Sequence, residues 1–315
     1  MERSLSGAAR WLDSPDAHRL TAGELEAVFL PDRGMLGASL RRGGIEFLRL
    51  VERLDAVTAE GEPAGIPILH PWANRLAGSR FRIAGREVSI DLSSPLLHRD
   101  PNGLLIHGVP WSRLVWALTE ARQDRLSARL AWDGESLLAV FPFRHHVELA
   151  ATLHPDGLTL ETTLVAGRDA PVPVSFGFHP YFGLPGLSRA QWHLSLPAMR
   201  RLILDRYGIP TGAEESFGPF EANLSELHFD DGFDLLDEPA SLSVAGAGYR
   251  ISVDLLAGYR HAQVFAPRDK DYLALEPMTA PTNALVSGRG LRIVEPGGSY
   301  RAAFRIRIDQ QPLAK

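Results

Sequence analysis

The chain has 315 residues, 45% of them hydrophobic, and a formal net charge of −5. That is ample apolar content for one extensive core, with no basic footprint for nucleic acid or anionic lipid. No apolar run approaches the ~18 residues of a membrane span, Met1-Glu2-Arg3-Ser4-Leu5 lacks a signal-peptide apolar stretch, and the absence of cysteine removes any disulfide framework, thiolate nucleophile or cysteine-based metal site. The expectation is a cytoplasmic protein, monomer or homodimer, with no nucleic-acid or membrane partner.

In chain order the elements read as strands. Phe81 to Leu92 breaks at Ala84-Gly85, a hairpin pattern. Arg125 to Trp132 alternates apolar with polar residues and ends at Asp133-Gly134. His146 to Leu153 alternates as well, with Val147, Leu149, Ala151 and Leu153 on one side. It turns at Pro155-Asp156-Gly157 and resumes with Leu158, Leu160, Thr162 and Leu164, a second hairpin. Phe304-Arg305-Ile306-Arg307-Ile308 sets apolar against basic residues with period two, as a sheet with one wet face requires. With 29 glycines and 23 prolines, long helices have little room; a short one is expected at Arg10–Trp11 or Glu221–Leu227. No repeat or linker divides the chain, so residues 1–315 read as a single all-β domain of stacked antiparallel sheets.

The segments that carry chemistry are polar groups in glycine- and proline-bounded apolar frames. They are Pro71-Trp72-Ala73-Asn74-Arg75-Leu76-Ala77-Gly78, Leu104-Leu105-Ile106-His107-Gly108 and Phe176-Gly177-Phe178-His179-Pro180-Tyr181-Phe182. Near the C-terminus come Leu273-Ala274-Leu275-Glu276-Pro277-Met278-Thr279 with Pro281-Thr282-Asn283, then Pro296-Gly297-Gly298. Aromatic faces around a polar handle suit a sugar ring, whose C–H face stacks while its hydroxyls seek hydrogen bonds. In this order and at these separations the set, from about Arg33-Gly34 to Tyr300, resembles the aldose 1-epimerase (galactose mutarotase) family. The chain departs from the family pattern at Val109, where a second glycine is usual, and at Pro277-Met278, where Thr-Gln is frequent. It looks like a divergent member.

The resemblance implies an antiparallel β-supersandwich with few short helices, a site on a concave face, and a cofactor-independent isomerase acting on a small sugar. Interconverting α and β anomers needs a base for the anomeric hydroxyl proton and an acid for the ring oxygen, poised on opposite sides of the C1–O5 bond. No metal or redox group is called for. Glu276, after a short apolar run, is the expected base, and it is preferred to Glu295, which precedes a tight turn. The family match makes His179 the acid. His107 is the second histidine, stabilising developing charge or simply packed at a strand end. Arg75 supplies forked donors to the sugar, and Asn74 beside it binds the sugar or holds the turn. The family spacing selects Asp230 for a hydroxyl, with Asp231 as the fallback; Asp231-Gly232 also reads as a turn. His145 and His146 alternate along one strand and cannot jointly hold a metal. His70 is expected at the rim of the site, and Asn283 is within reach of it. Alternative readings are a non-catalytic sugar-binding protein of the same fold, a mutarotase for phosphorylated or modified sugars, or a carbohydrate hydrolase or lyase.

Overall fold

The alternation of Leu126, Ala128, Leu130 and Trp132 with polar neighbours gives the strand Arg125–Trp132 one buried face in the computed structural model. The structure describes residues 12, 14–51, 53, 56 and 62–311. His145–His154 and Gly157–Ala166 pair antiparallel from His145↔Ala166 to His154↔Gly157 around the turn Pro155-Asp156. Ala84 (φ 46°) and Gly85 (φ 80°) join Arg80–Ile83 to Arg86–Ser89, both in the left-handed region that tight hairpin turns demand.

Among the described residues two large sheets dominate. The first has nine strands, in the order Trp116–Ala121, Arg125–Trp132, His145–His154, Gly157–Ala166, Ser299–Gln310, Tyr249–Ala257, Ala240–Gly246, His193–Leu196 and Phe220–Asn223. The second has eight. Its main path runs Pro210–Phe217, Met199–Leu204, Phe229–Leu235, His261–Ala266, Leu273–Met278, Gly177–Phe178 and Ile68–Leu69, and Tyr181–Phe182 pairs with Leu273–Met278 off that path. Their inner faces meet: Phe178 of the second packs on Phe304 of the first with ring centroids 5.1 Å apart. One buried cluster contains Leu149, Leu160 and Ile306 from the first sheet and Phe233, Val264 and Leu275 from the second. The fold is an all-β antiparallel supersandwich, and the helices Glu135–Val140 and Ala284–Ser287 are short. Among the described residues no helix is long and apolar enough to cross a membrane.

Two expectations change. Glu221–Leu227 is not a helix: Phe220–Asn223 is an edge strand paired with His193–Leu196, and Ser225-Glu226 forms a turn. Phe220 and Ala222 are more buried than Glu221 and Asn223, a period of two too short to separate from a helical pattern in sequence. Arg10–Trp11 lies outside the described residues.

Strand periodicity also positions the site. On His261–Ala266 the core takes Ala262, Val264 and Ala266, which turns His261, Gln263 and Phe265 to the outer face of the second sheet. On Leu273–Met278 the core takes Leu273 and Leu275, which turns Glu276 to that same outer face.

Candidate active site

Glu276 stands opposite Gln263 in the sheet and is 2% exposed. Its strand runs on through Pro277-Met278. The Pro277 carbonyl faces Gly177, so its nitrogen faces that side too. There the ladder between Gly177–Phe178 and Tyr181–Phe182 is interrupted, and the missing N–H costs no bond. A Cβ on Gly177 would lie 2.7 Å from the Pro277 carbonyl oxygen. Glycine there allows the segment bearing His179 to lie close against the Glu276 strand. His179 Nε2 consequently comes to 3.2 Å from Glu276 Oε1. The two groups stand in contact, not across an open gap. Tyr181 stacks on the His179 ring at 4.1 Å, and His107 meets it edge-on at 5.6 Å.

Arg75 and His107 come from a small ribbon in which Arg75–Leu76 pairs with Leu105–Ile106. Asn74 (φ 58°) and His107 (φ 59°) flank it, both left-handed. Such backbone is strained for side-chain-bearing residues and persists where neighbours hold it. Here they hold each other: His107 N–H donates to the Asn74 carbonyl at 3.0 Å, and Asn74 N–H donates to His107 Nδ1 at 3.2 Å. Nδ1 thereby accepts, so the neutral ring carries its proton on Nε2. Arg75 Nε donates to Asp100 Oδ2 at 2.8 Å, and Nη1 lies 3.9 Å from Asp230 Oδ2. Gln263 Nε2 donates to Asp230 Oδ1 at 2.7 Å.

Glu276, His179, His107, Arg75, Asn74 and Asp230 all line one cleft of about 700 Å³. Burial raises the Glu276 carboxyl well above the usual carboxylate range; the Asp230 charge adds to this and Arg75 opposes it. Burial lowers His179 to about 3. It also pushes His107 well down, helped by His179, His98 and Arg75. Burial alone would raise Asp100, but Arg75 Nε and the Leu104 and Asn102 amides outweigh it and hold that carboxyl low. Glu276 Oε2 and His179 Nδ1 are buried without a protein hydrogen-bond partner. Both shifts act in the same sense, favouring the uncharged form of each group.

Other residues fall outside the cleft. Asp231 points away from Asp230 on the same strand and binds Arg201 Nη2 at 2.7 Å; Asp230-Asp231-Gly232 is strand, not turn. Glu295 is exposed. His70 is not at the rim: it is 1% exposed, edge-on to Trp132 and 2.9 Å from His145 Nε2. Trp116 and Trp132 are core. Among the described residues no group of histidines and carboxylates is arranged to hold a metal ion.

Sequence reasoning missed Asp100, Gln263, Phe265 and Tyr272, which also line the cleft. Asp100 hides in Asp100-Pro101-Asn102-Gly103, which reads as a turn. Gln263 carries one usable signal: with His261 it sets polar side chains at every second position of an otherwise apolar strand.

The profile of the family described as aldose 1-epimerase matches residues 19–307. The chain belongs to the aldose 1-epimerase family. It is 24% identical over 259 residues to the uncharacterized protein YihR of Escherichia coli (strain K12), covering 78% of this chain and 81% of that protein. Among solved structures it is similar to the Slr1438 protein of Synechocystis sp. PCC 6803 (TM-score 0.77, 25% identity, 95% of this chain and 97% of that one). It also shares the fold of a galactose mutarotase-like protein from Clostridium acetobutylicum (TM-score 0.76, 20% identity, 93% and 95% covered). Val109 departs from the family pattern without strain: it is fully buried core and lies outside the left-handed region.

Proposed function

We propose that this family member is a mutarotase that interconverts the α and β anomers of a free hexose or related aldose. The observation that carries the reading is the buried Glu276–His179 pair, a carboxylate oxygen and an imidazole nitrogen 3.2 Å apart at the floor of the cleft. Two oxygens bonded to one carbon, O1 and O5 of a pyranose, match such a pair. Moving one proton across the contact gives the carboxylate and imidazolium the reaction needs. Glu276 then takes the O1 proton as the C1–O1 bond becomes a carbonyl. The C1–O5 electron pair leaves on O5, which takes the proton from His179. Rotation about C1–C2 and the reverse steps give the other anomer, and the pair returns to its starting protonation. His107 Nε2–H and Arg75 supply donors to the oxygen on which charge develops. Asn74 holds His107 and Arg75 in place, and Asp230 takes a hydroxyl.

The test is the decay of optical rotation of freshly dissolved sugars at low buffer concentration, across neutral hexoses, pentoses, uronic acids and sugar phosphates. Acceleration of at least one is expected. Binding of sugars without any acceleration would leave a carbohydrate-binding protein. Preference for the phosphates would move the substrate class.

The neighbours of Glu276 set a pH signature. In a coupled pair the limbs of the profile belong to the pair, and the alkaline limb marks loss of its last proton. Asp230 helps to raise Glu276 and Arg75 lowers it. Asp230→Asn removes a negative charge, favours the carboxylate and moves that limb to lower pH; Arg75→Gln moves it to higher pH. Asp230→Asn also raises KM, on the order of 1–3 kcal/mol for a charged hydrogen bond to a hydroxyl. Profiles of kcat/KM for the two variants check the signs, and shifts in the same direction would assign the limb to another group.

A further inference from the structure

Arg75 sits in a two-residue strand, and Ile106 pairs with it on one edge. So short a ribbon does not hold its own register. The other edge is met by Asn283, from the loop that follows the Glu276 strand. Asn283 N–H donates to the Arg75 carbonyl at 2.9 Å, and Asn283 Oδ1 accepts from Ala77 N–H at 2.9 Å. This is the pattern by which one residue of a parallel strand bonds two residues, two apart, on its neighbour, with a side-chain carbonyl in the place of a backbone one. Asn283 adopts φ 67°, ψ 15°, a left-handed conformation that asparagine tolerates better than most residues. It is 8% exposed and does not line the cleft.

The loop that carries it is itself anchored. Thr279 donates to the Phe176 carbonyl from its amide at 3.0 Å and its hydroxyl at 2.8 Å. Arg289 Nη2 reaches Asp234 Oδ2 at 2.8 Å. A Cβ on Gly290 would lie 2.8 Å from Pro281 Cδ, so the two ends of the loop close on each other.

We infer that Asn283 is a positioning residue that fixes the Arg75 guanidinium relative to Glu276, joining the strand of one to the ribbon of the other. Its kinetic consequence rests on the mutarotase reading; the clamp itself does not. Asn283→Gly keeps the left-handed backbone and removes the acceptor, whereas Asn283→Asp keeps an Oδ1 acceptor. With the best sugar of the panel, Asn283→Gly is expected to raise KM roughly tenfold, the scale of one lost hydrogen bond. Asn283→Asp stays within about twofold of the wild type, less than a net hydrogen bond is worth. In an Arg75→Ala background Asn283→Gly adds nothing further, because the effect passes through Arg75. An unchanged KM in Asn283→Gly, or full additivity with Arg75→Ala, overturns the inference. Amide exchange supplies a readout free of activity: in the wild type the Ala77 amide exchanges far more slowly than that of Gly78, and in Asn283→Gly it loses that protection. Fast exchange at Ala77 in the wild type would overturn the clamp even if the glycine variant does not fold. Wild-type mutarotation retained by Glu276→Gln would sink the catalytic reading alone and leave the exchange result standing.

Discussion

Glu276→Gln is expected to lower kcat for mutarotation by ~10²–10⁴-fold, the range for one positioned proton-transfer group, with the protein still folded. Glutamine keeps the shape of the side chain but cannot carry the O1 proton. The resting Glu276 is buried and held far above the carboxylate range, so an amide in its place asks for no new charge to be desolvated, and thermal unfolding should change little. His179→Asn removes the other half of the pair, with a comparable loss expected. In the proposed reaction one proton passes across the 3.2 Å contact, so the two groups act as a unit. The double variant should be no slower than the slower single one. Exchange between anomers, followed at low buffer concentration and extrapolated to zero buffer, measures the enzymatic rate alone. A single variant with wild-type kcat would remove that residue from proton transfer. Losses that multiply in the double variant would mean that the groups act on separate steps.

Much of the candidate site was legible because Arg75, His107, His179 and Glu276 sit in glycine- and proline-bounded segments whose order is itself informative. His179 and Glu276 could be picked out that way, and the period-two alternation of Val147, Leu149 and Ala151 located the hairpin strands. What the sequence could not supply was which face of a strand looks into the cleft. Asp230 and Asp231 are adjacent and chemically alike. Only the packing of Phe229 and Phe233 into the core turns Asp230 outward to Gln263 and Arg75, and leaves Asp231 to Arg201. His70 departs from its expected place at the rim for a related reason. Its neighbours Pro71 and Trp72 lead to the site, but its ring turns the other way, against Trp132 and His145. Asp100 escaped notice because a turn sequence conceals a carboxylate when its partner, Arg75, is remote in the chain. Asn283 was visible only as a residue in reach; that it binds the backbone of Arg75 and Ala77, outside the cleft lining, is a fact of tertiary structure.

Gly108→Ala should be the most damaging of the conservative backbone changes near the site. Gly108 has φ +64°, and a Cβ there would lie 2.4 Å from the His70 carbonyl oxygen, 2.6 Å from its carbon and 2.7 Å from Pro71 Cδ. The left-handed conformation alone costs an L-residue about 1–2 kcal/mol. The clash adds to it, because backbone and a proline ring cannot swing aside as a flexible side chain can. His70 pairs with Gly108 in a parallel bridge, and Val109 N–H donates to the His70 carbonyl at 3.0 Å. Relief of the clash therefore means parting these two segments, a total loss of about 4 kcal/mol or more, in the range reserved for broken backbone or core features. Gly103→Ala is the matched control: φ is +81° but nothing lies within 4 Å of the added carbon, so only the conformational cost remains. Urea unfolding of both variants separates the two contributions, and equal losses would show that the His70 segment yields freely. Because His107 precedes Gly108 and meets the His179 ring edge-on at 5.6 Å, any Gly108→Ala protein that folds should also have a lower kcat. Gly103→Ala, in an open turn before the ribbon, should keep a kcat close to that of the wild type.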